Sequence, residues 1–257
     1  MQLFKNTLWL TLSFTISRGI SIFWNIYLAR TFSTSLNDLG VYMYIMAQFS
    51  LFSILAEGNI SYTFQHFISK EFLSKDESVI QYWTFSFYAK FVLGVVFGLA
   101  LYLIIINQYP DYQFTAFLVS ITLLVFNIGA APIGIFIAHN DFKVQIVSYL
   151  INSLFFATFS IFAIMFTKNI NIIIGILLFS NVTASSYSLY AGIKLYGLPK
   201  KHNDIFNLTK KILKFSAPLL VASFCFSFFY RMDINIIAGK MTANYVSYIS
   251  IALMFFF

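Results

Sequence analysis

The chain has 257 residues, of which 60% are hydrophobic, 20% are aromatic and only 10% are charged. Soluble domains average roughly 45–50% apolar and about 25% charged residues. A single globular core cannot hide so much apolar surface, so much of this chain must have lipid as its solvent. The composition excludes a soluble enzyme, a nucleic-acid-binding domain and a disordered chain.

Apolar runs long enough to cross the membrane follow one another along the sequence. A helix needs about 20 residues to span about 30 Å of hydrocarbon. Seven runs reach that length and an eighth continues to the chain end; they cover residues 7–27, 41–68, 79–106, 114–138, 144–166, 170–193, 212–238 and 243–257. The runs are continuous rather than alternating, which favours helices over the strands of a membrane barrel. We therefore predict an all-α polytopic membrane protein with seven or eight transmembrane helices.

The longest polar connection, residues 194–211, separates the predicted helices into two groups. Residues 1–193 are expected to form a first bundle of six helices, and residues 194–211 a basic cytoplasmic loop. Residues 212–257 would begin a second bundle. The last run closes on three phenylalanines without a flanking anchor, so we expect the chain to be truncated within its eighth helix.

Basic residues in the connections predict the orientation of the chain, because cytoplasmic loops are enriched in Lys and Arg. With the N-terminus in the cytoplasm, ten of the 16 cations lie on the cytoplasmic side and three lie outside. The cytoplasmic set is Lys5, Lys70, Lys75, Lys143, Lys194, Lys200, Lys201, Lys210, Lys211 and Lys214, and the outer set is Arg30, Lys168 and Lys240. This bias predicts a cytoplasmic N-terminus.

Three further cations, Arg18, Lys90 and Arg231, lie inside predicted helices. A charge at the centre of a transmembrane helix costs about 2.5–3.5 kcal/mol on insertion scales, so it needs water, a partner or a function. Two of them belong to polar stripes that follow one helical face. The stripes are Thr7, Thr11, Thr15, Arg18, Ser21 and Asn25 in the first run, and Ser216, Ser223, Ser227, Arg231 and Asn235 in the seventh.

The two stripes indicate an internal, water-accessible cavity of positive potential. Guanidinium groups bind phosphate in a bidentate manner, so such a cavity suits an anionic ligand. Structural explanations stay open for each charge. Lys90 could extend to the cytoplasmic interface, and Arg231 and Asp233 to the outer one. Arg18 could instead be a structural partner for an acid such as Glu57.

Enzyme, cofactor and metal motifs are absent from the sequence. The three histidines have no metal-ligand spacing, and the chain contains neither a phosphate-binding loop nor a nucleophile elbow. The single cysteine, Cys225, can form no internal disulfide and is expected to pack in a core. Pro132 and Pro218 are predicted to kink their helices.

Several short motifs occur in a characteristic order. Residues 3–47 read LFKNTLWLTLSFTISRGISIFWNIYLARTFSTSLNDLGVYMYIMA and combine an arginine-bearing helix with Ala-Arg-Thr-Phe at 29–32 and Leu-Gly-Val-Tyr at 39–42. Leu-Ala-Glu-Gly follows at 55–58, and Ala-Pro-Leu and Arg-Met-Asp at 217–219 and 231–233. These segments resemble the "ARxLG"-like, "fGxY"-like and "aDxG"-like motifs and the seventh helix of the O-antigen and polysaccharide flippases, in the multidrug/oligosaccharidyl-lipid/polysaccharide exporter superfamily. The resemblance covers nearly the whole chain, with Glu57 replacing the commoner Asp.

The resemblance implies a transporter of 12 or more helices that moves lipid-linked oligosaccharide between leaflets of the bacterial cytoplasmic membrane by alternating access, without enzymatic activity or a cofactor. The substrate would be an undecaprenyl-pyrophosphate-linked sugar in contact with membrane lipids. A polysaccharide polymerase and chain-length proteins are candidate partners, and no nucleic acid is expected. The implied roles are pyrophosphate binding for Arg18, Arg231 and Lys90, sugar contacts for Asn25 and Asn235, and proton or cation coupling for Glu57 and Asp233.

Three other functions stay open. A cation-coupled multidrug exporter of the same superfamily should have an acidic cavity, whereas the buried balance here is three cations against two acids. A membrane-embedded glycan polymerase or glycosyltransferase usually needs a large outer loop or a cluster of catalytic carboxylates. The chain could also be a non-transporting scaffold or an inactive truncated remnant.

Overall fold

A computed structural model of the chain describes residues 2–71, 77–199 and 205–254. Within these residues the backbone forms ten α-helices and two single-turn 3-10 helices, without a strand, and the predicted all-α fold is confirmed. The helices are α1 (Gln2–Thr31), α2 (Leu36–Glu57), α3 (Ile60–Glu71), α4 (Glu77–Gln108), α5 (Gln113–Gly129), α6 (Ile133–Ala138), α7 (Lys143–Phe166), α8 (Ile170–Tyr196), α9 (Ile205–Lys240) and α10 (Ala243–Met254). Lys75, Lys200 and Lys201 of the predicted cytoplasmic set, part of the predicted basic loop and residues 255–257 lie outside the described residues.

In the described part of the chain, six helical segments are long and apolar enough to cross a membrane. They are Leu36–Ile68, Val79–Gln108, Pro110–Ala138, Lys143–Phe166, Ile170–Tyr196 and Leu208–Phe229. These segments correspond to the second through seventh predicted runs, so the chain is a multi-pass membrane protein. α1 and α10, of which the structure describes 30 and 12 residues, are not among the six. The first and eighth membrane crossings therefore stay predictions.

Two of the six segments are broken in the middle. Between α2 and α3 the backbone turns through Gly58 and Asn59, whose φ angles of 62° and 51° lie in the left-handed region. Glycine adopts that conformation without a steric penalty, and asparagine tolerates it better than most residues. Between α5 and α6 the break falls at Pro132, where a kink was predicted. Pro218, the other predicted kink, lies inside a continuous α9.

The helices pack in an order that differs from their order in the sequence. α1 packs against α7, α7 against α8, α8 against α5, α5 against α4 and α4 against α2. The short helices α3 and α6, which follow the two breaks, pack against each other. α9 and α10 pack against α2, so α2 contacts helices of both predicted bundles.

Large apolar side chains cover the outside of the bundle, as expected of a surface that faces lipid. Examples on α7 are Phe162, Met165 and Phe166, which are 59%, 68% and 84% exposed. Cys225 is also exposed, so the expectation that it packs in a core is wrong. Its position on the outside of α9 is compatible with lipid, because a thiol behaves as a small apolar group.

Close packing between α2 and α10 depends on Gly40, because a methyl group added there would overlap the backbone carbonyl of Ala243. We expect Gly40→Ala to lower the free energy of unfolding by about 1–3 kcal/mol, the usual cost of overpacking. Gly175→Ala on α8 is the matched control, since a methyl group there meets nothing within 4 Å. Thermal unfolding in detergent measures both variants, and equal stability of the two would contradict the packing.

Candidate functional site

A fully buried ammonium group joins the two helix breaks. Lys90 of α4 is 0% exposed, and its Nζ lies 3.4 Å from Oε1 of Glu57, at the end of α2. The same nitrogen donates to Oγ of Ser61 in α3 at 2.9 Å and to the carbonyl of Ala130, just after α5, at 3.2 Å. A single side chain on α4 therefore holds both broken segments. Inside a membrane such contacts are needed, because backbone groups freed at a break have no water to bind.

Two further side chains, those of Asn127 and Ser86, support the contacts of Lys90, and we define the polar cluster as Glu57, Ser61, Lys90, Asn127 and Ala130. Asn127 donates to the carbonyls of Ala56 and Lys90 at 2.9 Å and 2.7 Å. Ser86 donates to the carbonyl of Ala131 at 2.9 Å. The carboxylate of Glu57 also accepts the backbone N–H of Ser61 at 3.0 Å, at the start of α3. Each break is thus closed by side-chain hydrogen bonds.

A cavity of about 680 Å³ opens beside this cluster, between the α2–α3 break and helices α5 to α9. We call it the amide cavity, after the side chains of Gln65, Gln145, Asn152 and Asn181 in its wall. The carboxylate of Glu57, the amide of Asn59, seven serine hydroxyls and two tyrosines complete its polar lining. The serines and tyrosines are Ser53, Ser61, Ser148, Ser185, Ser188, Ser223, Ser227, Tyr62 and Tyr149.

A second cavity, of about 480 Å³, lies between α1, α2, α7, α9 and α10. We call it the arginine cavity, because Arg18 of α1 and Arg231 of α9 both line it. Asn25, Ser21 and Ser250 add polar groups to a wall that is otherwise largely apolar. Within the described residues, the Arg18 side chain has neither a hydrogen-bond partner nor an ionic partner. Its guanidinium group is therefore available to a ligand.

The two cavities adjoin at Ser53 of α2, which lines both of them. One face of α9 also passes from the first to the second. Ser223 and Ser227 line the amide cavity, and Arg231, one turn further along, lines the arginine cavity. Four residues of α-helix advance by about 6 Å. The polar stripe of the seventh run thus faces the two adjoining cavities over two successive turns.

The predicted site residues occupy three kinds of environment. Arg18, Asn25 and Arg231 line the arginine cavity. Lys90 belongs to the polar cluster, and its partner Glu57 both joins that cluster and lines the amide cavity. Two residues of α9 lie elsewhere. Asp233 is exposed, and Asn235 accepts a hydrogen bond from Gln48 of α2 and donates one to the carbonyl of Arg231.

The sequence analysis missed the contribution of α7, which supplies Gln145, Ser148, Tyr149 and Asn152 to the amide cavity. Their spacing of three and four residues places them on one helical face, as in the polar stripes of α1 and α9. This spacing is the sequence pattern by which they could have been predicted to line a cavity. Lacking a charge, this stripe did not stand out among the polar residues that commonly join membrane helices.

Residues 3–252 match the model of a protein family described as "Polysaccharide biosynthesis protein". The match begins in α1 and ends in α10, so it includes both cavities and the polar cluster. No curated protein and no solved structure matches the chain.

The ion pair in the polar cluster predicts an asymmetric effect of mutation. Glu57→Gln leaves the buried ammonium of Lys90 without a counter-ion, and we expect it to cost about 3 kcal/mol of unfolding free energy. Lys90→Met combined with Glu57→Gln removes both charges with little change in volume and should restore part of that stability, because the carbonyl of Ala130 still loses its donor. Chemical unfolding in detergent measures both variants. If the double variant is no more stable than Glu57→Gln alone, the loss of stability does not come from an uncompensated charge on Lys90.

Proposed function

The chain belongs to the polysaccharide biosynthesis protein family, the family of the polysaccharide and O-antigen flippases, and from this premise we propose that it moves undecaprenyl-pyrophosphate-linked oligosaccharide across the bacterial cytoplasmic membrane. The family resemblance noted from the sequence is confirmed by the match over residues 3–252. Members of the family are usually transporters rather than enzymes. The family implies that the substrates are lipid-linked saccharides in the membrane.

The observation that supports this proposal is the joint presence of Arg18 and Arg231 in one cavity. These residues are far apart in the sequence, on α1 and α9, and the packing of the helices brings them to the same space. Pyrophosphate offers two adjacent anionic groups, and two guanidinium groups can each bind one in a bidentate manner. Arg18 is exposed and Arg231 is half-buried, so both guanidinium groups can be reached by a ligand that enters the cavity. The polyprenyl tail would stay in the lipid.

The position of the arginine cavity fits alternating access. Its wall combines α1, α2 and α7 of the first six runs with α9 and α10 of the last two. A ligand bound there contacts both groups of helices and can favour one arrangement of them over another. Asn25 adds an amide group to the same cavity, beside Arg18. Of the two proposed coupling residues, Glu57 and Asp233, Glu57 lines a cavity. A proton or cation could reach its carboxylate from the amide cavity.

The charges also bear on the rival functions. A multidrug exporter for cations should have a net negative site, but in the part of the chain that the structure describes one acid, Glu57, lines the amide cavity and two arginines line the neighbouring cavity. A membrane glycosyltransferase needs a cluster of carboxylates. Among the described residues that line the two cavities, Glu57 is the one acid. These features favour an anionic substrate that is moved without chemical change.

We expect Arg18→Ala and Arg231→Ala each to reduce transport of a fluorescent undecaprenyl-pyrophosphate-linked sugar in proteoliposomes by about 10–100-fold, the usual effect of losing a hydrogen bond to a charged group. Arg18→Lys should recover part of the loss, because it keeps the charge and loses the bidentate geometry.

Arg30→Ala is the control, since Arg30 lies at the exposed end of α1 and does not line the arginine cavity. Protein amounts and melting temperatures are compared in the same preparations. Normal transport by both alanine variants, or an equal loss in the Arg30 variant, would contradict the proposed function.

A further inference from the structure

We propose that the amide cavity is the binding site for the glycan of the same substrate and that it selects uncharged sugars. The inference rests on the proposed function, because it divides one ligand between two adjoining cavities. The pyrophosphate would lie in the arginine cavity and the sugars in the amide cavity.

Two buried polar atoms in the wall of the amide cavity have no partner. Gln145 and Ser148 of α7 are only 8% and 7% exposed, yet Oε1 of Gln145 and Oγ of Ser148 have no hydrogen bond with the described residues. Buried polar atoms are nearly always paired, because leaving them unpaired costs free energy. Both residues line the cavity. A ligand with hydroxyl groups would supply the missing partners.

The rest of the wall is held in place before any ligand arrives. Asn152 accepts from Ser180 at 2.8 Å and donates to Asn181 at 3.3 Å, so α7 and α8 fix the two amides together. Ser185 and Ser188 of α8 donate to carbonyls of α5, and their oxygens can still accept a further bond. Pre-organised groups lose little entropy when a ligand binds.

Amides, hydroxyls and aromatic rings match the chemistry of a sugar. Carboxamides both donate and accept, as do the hydroxyl and acetamido groups of hexoses. Tyr62 is 63% exposed at the cavity, and Tyr149 lies beside Gln145 on α7. A tyrosine ring offers an apolar face to the apolar side of a pyranose ring and a polar hydroxyl at its edge.

The charge of the wall decides which sugars fit. Glu57 is the one acidic residue among the described residues lining this cavity, and its side chain is 22% exposed. Lys90, its partner, is 0% exposed and does not line the cavity. A sugar carboxylate near this wall would therefore be repelled by the carboxylate of Glu57, while the ammonium of Lys90 behind it does not reach the cavity. Selection against acidic sugars follows from this repulsion.

The geometry also connects the two parts of the ligand. Ser53 lines both cavities, and Ser227 of the amide cavity lies one helical turn, about 6 Å, from Arg231 of the arginine cavity. A sugar attached directly to a pyrophosphate lies at a comparable distance from it. The volume of about 680 Å³ falls within the range of about 300–1,000 Å³ typical of small-molecule sites.

Binding to the purified chain in lipid nanodiscs tests the inference with three probes. These are undecaprenyl pyrophosphate alone, the same lipid with a disaccharide of N-acetylhexosamines, and the same lipid with a disaccharide that contains a hexuronic acid. We expect Gln145→Leu combined with Ser148→Ala to weaken binding of the neutral-sugar lipid about tenfold, from two lost hydrogen bonds, and to leave the sugar-free lipid unchanged. Equal weakening of both probes, or no weakening, would overturn the glycan site.

Ser160→Ala is the matched control for Ser148→Ala. Ser160 is also on α7, is 0% exposed and has an unpartnered hydroxyl within the described residues, but it does not line the amide cavity. It should bind all three probes like the unmodified chain. If Gln145→Leu lowers the melting temperature, Ser148→Ala alone, which removes one oxygen atom, serves as the milder test with a smaller loss in the same direction.

The charge selection has its own comparison. The unmodified chain should bind the uronic-acid lipid about tenfold more weakly than the neutral-sugar lipid, and Glu57→Gln combined with Lys90→Met should remove that difference. Equal binding of the two lipids by the unmodified chain would overturn the selection for uncharged sugars.

A soluble N-acetylhexosamine disaccharide separates this inference from the proposed function. If the unmodified chain binds it and the Gln145/Ser148 variant does not, the glycan site stands even where the sugar-free lipid fails to bind. If the sugar-free lipid binds through Arg18 and Arg231 but the disaccharide and the sugar of the lipid add nothing, the pyrophosphate proposal stands and the glycan site falls.

Discussion

The fold depends on one buried ion pair at the junction of three membrane segments. The ammonium of Lys90 reaches the carboxylate of Glu57, the hydroxyl of Ser61 and the carbonyl of Ala130, each beside a helix break. A charge without these partners would be costly at such a depth, and the breaks without their donors would leave bare carbonyl groups. The polar groups at the breaks therefore stabilise the buried charge of Lys90, and Lys90 in turn donates to a carbonyl group freed at a break. The α2–α3 break in turn carries Glu57, Asn59 and Ser61 into the wall of the amide cavity.

The arrangement separates the charges of the bundle by their role. Lys90 has partners for its whole charge and supports the walls, whereas Arg18 lines a cavity without an ionic partner among the described residues. Two cavities of different chemistry result, one with guanidinium groups and one with amides and hydroxyls. A substrate that joins an anionic headgroup to a neutral glycan has the same division. This match underlies both the proposed function and the inferred sugar selectivity.

Close backbone contacts make the walls firm. A methyl group added to Gly129 at the end of α5 would overlap Ser185 of α8, and Ser188 donates to the Gly129 carbonyl at 2.6 Å. Small residues let membrane helices approach in this way, and serine hydroxyls then reach backbone carbonyls across the contact. The hydroxyls that hold α5 and α8 together also line the amide cavity. Structural and ligand-binding roles are thus combined in the same side chains.

The sequence by itself determined the helical membrane fold and the approximate limits of six spans, because hydropathy acts locally, whereas of the two prolines predicted to kink their helices Pro132 lies at a break and Pro218 lies inside a continuous helix. It also identified the arginine stripes, since a charge in an apolar run is conspicuous. Only the tertiary structure decided that Glu57 pairs with Lys90 rather than Arg18, that Arg18 and Arg231 share a cavity, and that the uncharged stripe of α7 lines another. Those outcomes depend on which helices become neighbours, and α1, α7 and α8 pack in an order that no local pattern encodes.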